Sequence, residues 1–329
     1  MKGSVPILKR ALAPPLARVL EALVRLTRRR AGVVLVYHEV AERGGDPRVE
    51  ILPAHGGALF VAQLEHLRRR YRVVSARDLP GAVERRRRGE RFPVSITFDD
   101  DLASHVAFAQ PALSRLGLPA TFFLTGASLS ATHSFWWERL QRAVDRGVAD
   151  ASLLPASLAS DGPIDLTPGS SHVRSVAEAI EQLPPGERDS LDERLATRLG
   201  PDPPDAGLRA GQVRALSAAG FEIGFHTRRH YRLPVLDDEQ LETAMKDGAA
   251  ELASASGQAL LTVGYPHGKA DRRVAAAARS AGFDLGFKVM STSVDPSTHP
   301  LLIPRMQPTH SSVGQFALEM ARALVRRPG

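Results

Sequence analysis

The chain has 329 residues, 43% hydrophobic and 24% charged, enough for a sizeable core and for one large domain or two small ones. It contains no cysteine, so disulfides and thiolate metal sites are excluded, and any metal must sit on His, Asp or Glu. The net charge of +7 reflects 43 Lys and Arg against 36 Asp and Glu; it reads either as solvated basic faces or as contact with an acidic surface such as phospholipid or a sugar nucleotide, and no zinc-finger spacing or aromatic RNA-binding signature points to nucleic acid.

Residues 1–30 read as a basic amphipathic helix. Leu16, Val19, Leu20, Leu23, Val24 and Leu26 recur at helical spacing among Arg18, Arg25, Arg28, Arg29 and Arg30. That pattern suits either a membrane surface or packing on the chain's own domain. No run of roughly 18 apolar residues occurs, so no membrane-spanning helix is expected. The N-terminus also lacks the apolar stretch and cleavage site of a secretion signal. The expected location is cytoplasmic, with peripheral contact on the inner membrane face through residues 1–30.

Residues 31–329 read as one domain. GVVLVYH at 32–38 is apolar and β-branched, as a buried strand is. A helix follows over about 58–70, then a short strand at 72–74 and a helix over 76–88. The RRRR run ending that helix is expected in solvent, where it complements the macrodipole. A strand at 93–98 delivers Asp99, Asp100 and Asp101 at its C-terminal end. Pro111 starts a short helix ended by Gly117, and 120–125 is the next strand. Residues 130–207 break the rhythm. They hold Pro155, Pro163, Pro168, Pro184, Pro185, Pro201, Pro203 and Pro204, with helical pieces at 135–145 and 188–199, and read as an inserted lid or subdomain. A strand at 221–225 delivers His226. One long helix is expected over 237–256, a strand at 260–265, a helix at 270–281 and a strand at 283–289. Ser311 or Ser312 caps a final helix. Strands alternating with helices argue for parallel βαβ units in an α/β layer or barrel. Polar residues cluster just after strands, where barrels build their active sites.

Three consecutive carboxylates at the end of an apolar strand raise one another's pKa, and burial raises them further. A divalent cation reverses that logic, so Asp99-Asp100-Asp101 asks for one. His226 and His230, four apart, reach one metal from one face of a helical turn. The spacing is weak by itself, because 11 His in 329 residues give roughly 0.4 such pairs by chance. Together the two segments offer a two-His, one-carboxylate site with open positions. Adjacent carboxylates point apart, so one binds metal while the other accepts a proton from water.

Several ordered segments carry a resemblance: SITFDDD at 95–101, PALSRLGLPATFFLTG at 111–126, GFEIGFHTRRH at 220–230 and GYPHGKAD at 264–271, with VLVYHEV at 34–40 opening the series. They resemble the NodB-homology domain of the polysaccharide deacetylase family, carbohydrate esterase family 4, from about Val33 to Arg305 apart from the insertion. The resemblance implies a distorted (β/α) TIM-like barrel and removal of an acetyl group, N-acetyl more than O-acetyl, from a sugar. It implies Asp99 as general base and Asp100, His226 and His230 as ligands of a divalent metal, commonly zinc. It also implies an oxyanion donor in the backbone N–H of about His267.

This sequence departs from the family pattern at several points. Asp101 stands where Gly often follows the aspartate pair. Gly264 and His267 occupy the places of an Arg that orients the base and of a Tyr. Arg305, in LLIPRM, is a candidate to replace that Arg in space. The family's late Leu-x-His motif, which supplies the general acid, has no clear counterpart; His310, His299 and His38 are candidates by position, with His310 preferred as acid. His38, Tyr265, Lys269, Arg305 and Trp137 are assigned to substrate binding. The expected partner is an acetylated amino-sugar glycan or its lipid- or nucleotide-linked precursor. A deformylase acting on the same kind of site, or a weakly active glycan-binding relative, is the alternative.

Overall fold

The computed structural model describes residues 4–159 and 164–326, with side chains of the first helix described from residue 15 onward. Residues 1–3, 160–163 (including Pro163) and 327–329 of the segments delimited above lie outside the described residues. The chain begins with helix α1 (Ser4–Arg25) and enters the sheet at β1 (Val33–Tyr37). A small pair, β2 (Val40–Ala41) and β3 (His55–Gly56), precedes α2 (Gly57–Arg70). Then come β4 (Arg72–Val73), α3 (Leu79–Arg85), β5 (Pro93–Asp99), α4 (Gln110–Leu116) and β6 (Thr121–Leu124).

An excursion of helices separates β6 from the next strand: α5 (Trp136–Asp145), α6 (Ala156–Ala159), α7 (His172–Ile180), α8 (Pro185–Leu199) and α9 (Ala210–Ala218). The barrel resumes with β7 (Glu222–Phe225), α10 (Asp238–Lys246), α11 (Ala249–Ser256), β8 (Thr262–Gly264), α12 (Arg272–Ser280), β9 (Leu285–Val289), β10 (Ile303–Arg305) and α13 (Val313–Val325).

Seven strands run parallel in the order β1-β5-β6-β7-β8-β9-β10, with β4 an eighth beside β5. Past β10, Met306 exchanges two backbone hydrogen bonds with Val34 and Val36 of β1, which brings the ends of the sheet together. The result is a parallel sheet nearly closed into a barrel with helices around it, as the strand–helix alternation predicts. Helices cover the strands, so β1, β5 and β6 are buried along their whole lengths, and β1 reads as a continuous apolar run. The main core joins the barrel to its helices, through residues such as Leu35, Phe98, Phe122, Phe225 and Phe316. A second apolar cluster belongs to the excursion, built on Trp136, Trp137, Leu140, Val173, Leu191 and Leu195.

Three local expectations need correction. The helix expected over 237–256 is two helices, because Gly248 takes a left-handed conformation (φ 83) between α10 and α11. The RRRR run is not all in solvent: Arg86 is buried and donates to the carbonyls of Arg25, Thr27, Arg29 and Glu90, closing the bottom of the barrel. The segment from His226 to His230 is a turn between β7 and α10 and not a helical turn. Strand β10 and helix α7 were not expected. The three residues of β10 include a proline and give no periodic signal.

Candidate active site

The C-terminal ends of β1, β5, β7, β8 and β10 converge. β5 ends on Asp99 and is followed by Asp100 and Asp101; β7 is followed by His226; β8 leads into Tyr265, Pro266 and His267; β10 ends on Arg305. In a parallel barrel this is where loops from successive strands meet.

Asp100, His226 and His230 are buried, and their ligating atoms lie within 4.8 Å of one another. Asp100 Oδ1 is 3.5 Å from His226 Nε2 and 3.3 Å from His230 Nε2. Oδ1 is buried and accepts no hydrogen bond. His226 Nδ1–H donates to the carbonyl of Gly264 at 2.7 Å, which fixes its tautomer and turns the Nε2 lone pair toward Asp100. Burial, followed by the nearby His267 and His226 rings, pulls His230 well below the usual imidazole range. Burial also pulls His226 down, partly opposed by Asp99. Burial, and then the carboxyls of Asp99, Glu138 and Asp101, push Asp100 well above the ordinary carboxylate range. Neutral imidazoles around an orphaned buried carboxyl oxygen are the donor set of a divalent cation, whose charge reverses the shift on Asp100. These residues fit such an ion.

Asp99 is held differently. Arg305, fully buried, donates Nη1–H to Asp99 Oδ1 at 2.6 Å and Nη2–H to Oδ2 at 2.7 Å, a bidentate pair. Burial pushes the Asp99 carboxyl up, but the charges of Arg305 and His226 and the Arg305 hydrogen bonds outweigh it and hold Asp99 below its usual value. Arg305, assigned to substrate binding, is instead committed to Asp99, as a spatial substitute for the missing Arg would be. Its arrival from β10 has a steric reason. A Cβ on Gly264 would lie 2.8 Å from Cγ of Phe123, so β8 has no room for the side chain that would otherwise do this. The Arg305 guanidinium lies near the same Phe123 ring, 5.2 Å from its centroid.

Asp101 is structural. Its two oxygens accept from the Thr125 N–H and Oγ1–H, both at 2.8 Å, and from the Ser128 hydroxyl at 3.0 Å, tying the exit of β6 to that of β5. His105 was missed by sequence reasoning. Its Nε2–H lies 2.9 Å from the Asp99 carbonyl and 3.0 Å from that of Asp100, clamping the backbone between these two residues. A buried histidine just after an acidic strand end was the available signal. The clamp is needed because Asp100 has φ 72. Among the described residues, the non-glycine positions with positive φ are Asp100, Thr227, His230 and His267, all on the loops of this site. Strain concentrated in this way is held by surrounding contacts.

The excursion supplies many of those contacts. Arg188 of α8 donates to the carbonyls of Arg229 and His230 at 2.5 and 2.7 Å. The Trp137 ring lies 4.5 Å from the His230 ring and is stacked on Phe135. Trp137 thus backs His230 and also borders a cleft of about 470 Å³ lined by Glu39, Leu102, Ser104 and Glu138, among others. His267 stands 4.5 Å from His230 by ring centroid, and its Nδ1 is 3.3 Å from Glu181. It is the second residue of a three-residue turn, where a backbone N–H has no partner within the turn.

The remaining assignments divide. The ring of His38 is close enough to feel Asp99, Arg305 and His226, and burial pulls it down to about 4. His310 is exposed and lies against His55, ring centroids 4.5 Å apart, so the acid expected there is not brought to Asp99. His299 sits in the turn that leads into β10, bonded to Leu301, at the opposite end of the strand from Arg305. Tyr265 is fully buried and donates its hydroxyl to the Leu301 carbonyl at 2.8 Å, which corrects its assignment to substrate. Lys269 is exposed on the loop after β8.

His226→Ala removes one of two imidazoles and leaves Asp100 facing a void. Purified variant protein is expected to carry no stoichiometric metal by elemental analysis, while its circular dichroism stays that of the parent.

A family model described as polysaccharide deacetylase matches residues 86–152 and 197–286, leaving out most of the excursion. No curated protein matches the sequence. Among solved structures, a deacetylase from Streptococcus pyogenes determined with acetate is similar at 16% identity, TM-score 0.59, over 88% of this chain and 98% of that one. A polysaccharide deacetylase from Bacillus cereus is similar at 16% identity and TM-score 0.57, over 88% and 69%. IcaB from Ammonifex degensii is similar at 17% identity and TM-score 0.54, over 88% and 97%. At these identities the likeness is one of fold.

Proposed function

We infer that this chain, a member of the polysaccharide deacetylase family and so a hydrolase of amide or ester bonds on sugars, removes N-acetyl groups from an amino sugar in a metal-dependent reaction. The observation that carries this reading is the orphaned Asp100 carboxyl between two neutral imidazoles, with a separate carboxylate, Asp99, ionised beside it. Asp100, His226 and His230 would hold the ion. When bound, a divalent cation, zinc in this reading, supplies Lewis-acid polarisation of the acyl carbonyl and acidifies the attacking water.

Asp99 accepts the proton of the water as its oxygen attacks the acyl carbon, and Arg305 keeps that carboxylate charged and aimed. The His267 N–H donates to the developing oxyanion. The carbon–nitrogen bond then breaks, giving acetate and a free amine. The leaving nitrogen needs a proton, and the His38 ring, outside the ligand set, is close enough to feel the Asp99 charge. Because burial holds His38 neutral at rest, it takes over the proton that Asp99 removed from water and passes it to the leaving nitrogen, returning both groups to their resting states. The cleft bordered by Trp137 and Glu138 has the volume for a sugar unit, and Trp137 links it to His230. A lipid- or nucleotide-linked precursor handled on the cytoplasmic side of a membrane completes the proposal.

Elemental analysis of purified protein, together with acetate release from N-acetylglucosamine oligomers and from UDP-N-acetylglucosamine, tests it. Stoichiometric metal with acetate is the expected result, and the faster substrate separates polymer from precursor. Metal with formate from a formamido sugar would move the reaction to another acyl group. Protein that takes up no metal and releases no acid would leave a glycan-binding relative.

A further inference from the structure

We propose that the outer face of α1 docks on an anionic lipid bilayer. The helix has two unlike sides. Ala17 and Leu20 face Ala317 and Leu318 of α13, and Val24 enters the main core. Glu21 points inward as well, accepting from the Tyr71 hydroxyl at 2.7 Å and lying 3.2 Å from His66 Nε2. That packing satisfies one side of the helix and answers half of what its sequence left open.

The other side is unpartnered. Leu16, Val19, Leu23 and Leu26 are 45%, 55%, 59% and 58% exposed, half of the large exposed apolar side chains among the described residues. At about 100° per residue these four fall within an arc of roughly 80°. In the sequence the same three-four spacing continues upstream at Leu12, Leu8 and Val5. Arg18 lies on the flank of the stripe, and Arg28 and Arg30 follow its end, all exposed; Arg25 is exposed too but donates its Nε–H to the Gly89 carbonyl. Glu21 is the only acid in α1 and is turned away, so the outer face is apolar and cationic without a compensating carboxylate.

That combination matches the boundary between lipid headgroups and acyl chains, where leucines insert and arginines meet anionic headgroups. A second copy of the chain fits worse, because it would bring rows of arginine against each other. No helix among the described residues is long and apolar enough to cross a membrane, so the contact is peripheral.

Co-sedimentation of the full chain with phosphatidylcholine vesicles, with and without phosphatidylglycerol, tests this. Binding is expected only with phosphatidylglycerol and should weaken as salt rises. Leu16→Glu/Leu23→Glu, made on exposed positions, should lower vesicle binding tenfold or more. Arg18→Gln/Arg28→Gln should weaken it and flatten its salt dependence. Wild-type protein that stays in the supernatant, or a double-Glu variant that sediments like the parent, would overturn the proposal. So would a concentration-dependent dimer in sedimentation equilibrium that the double-Glu variant abolishes. Acetate release from a soluble oligomer reads catalysis separately, so failure of the deacetylase reading leaves this test standing.

Discussion

Asp99→Asn is expected to lower kcat about 10²–10⁴-fold while metal content stays at the parent level. Asn keeps the shape of the carboxylate and can still accept one bond from Arg305, but it cannot take a proton from water. The three ligands keep their atoms: Asp99 Oδ2 is 3.8 Å from His226 Nε2, whereas Asp100 Oδ1 approaches both histidines more closely. The substitution also leaves Arg305 buried without its paired carboxylate charge, and removing one partner of a buried pair costs about 3–5 kcal/mol. Activity must therefore be read on protein shown to be folded. Near-normal kcat would remove Asp99 from the role of base, and lost metal would make it a ligand.

Arg305→Met should be costly twice over. Asp99 would then sit buried without its cation, and stability near neutral pH should fall by about 3–5 kcal/mol, seen as a lower urea midpoint at unchanged slope. The sign of the pH effect follows from the direction of the shift. Asp99 is held below its unfolded value, so the stabilisation is complete above the ordinary carboxylate range and is lost as pH falls through the lowered folded value. In Arg305→Met that acid-side loss should shrink, since the folded value moves up. The acidic limb of the kcat/KM profile should move to higher pH for the same reason, which a purely packing role for Arg305 would not produce. Arg305→Lys should recover the charge but not the two-point grip, giving an intermediate profile. Adding Gly264→Arg to Arg305→Met should rescue nothing, because Phe123 occupies the space that side chain needs. An unmoved pH profile would remove Arg305 from the base.

The metal-ligand candidates were legible because their signal is local. A carboxylate run at a strand end and two histidines after another strand violate the apolar pattern around them, and such violations are readable without knowing the fold. The barrel was legible for a similar reason, since alternation of apolar runs with helical periodicity is a property of short windows. Residues whose roles depend on what lies opposite were read less well. Tyr265 sits in a motif beside the site, yet its side chain goes to the Leu301 carbonyl. His310 follows the last strand at a plausible distance, yet it rests on His55. His105 and Arg188 act on backbone carbonyls, which carry no sequence identity to recognise.

The sequence by itself thus determined the alternation of strands and helices, the acidic and histidine segments that ask for a cation, and the two-sided character of the first helix. Each is set by spacing along the chain. Only the tertiary structure decided which carboxylate is orphaned and which is paired, because Asp99 and Asp100 are neighbours in sequence and differ only in what faces them. It brought Arg305 across some two hundred residues to Asp99, closed His226 onto the Gly264 carbonyl, and left Leu16, Val19, Leu23 and Leu26 of α1 uncovered. Electrostatic partnership and exposure depend on distance in space, and distance in space is what a one-dimensional pattern does not contain.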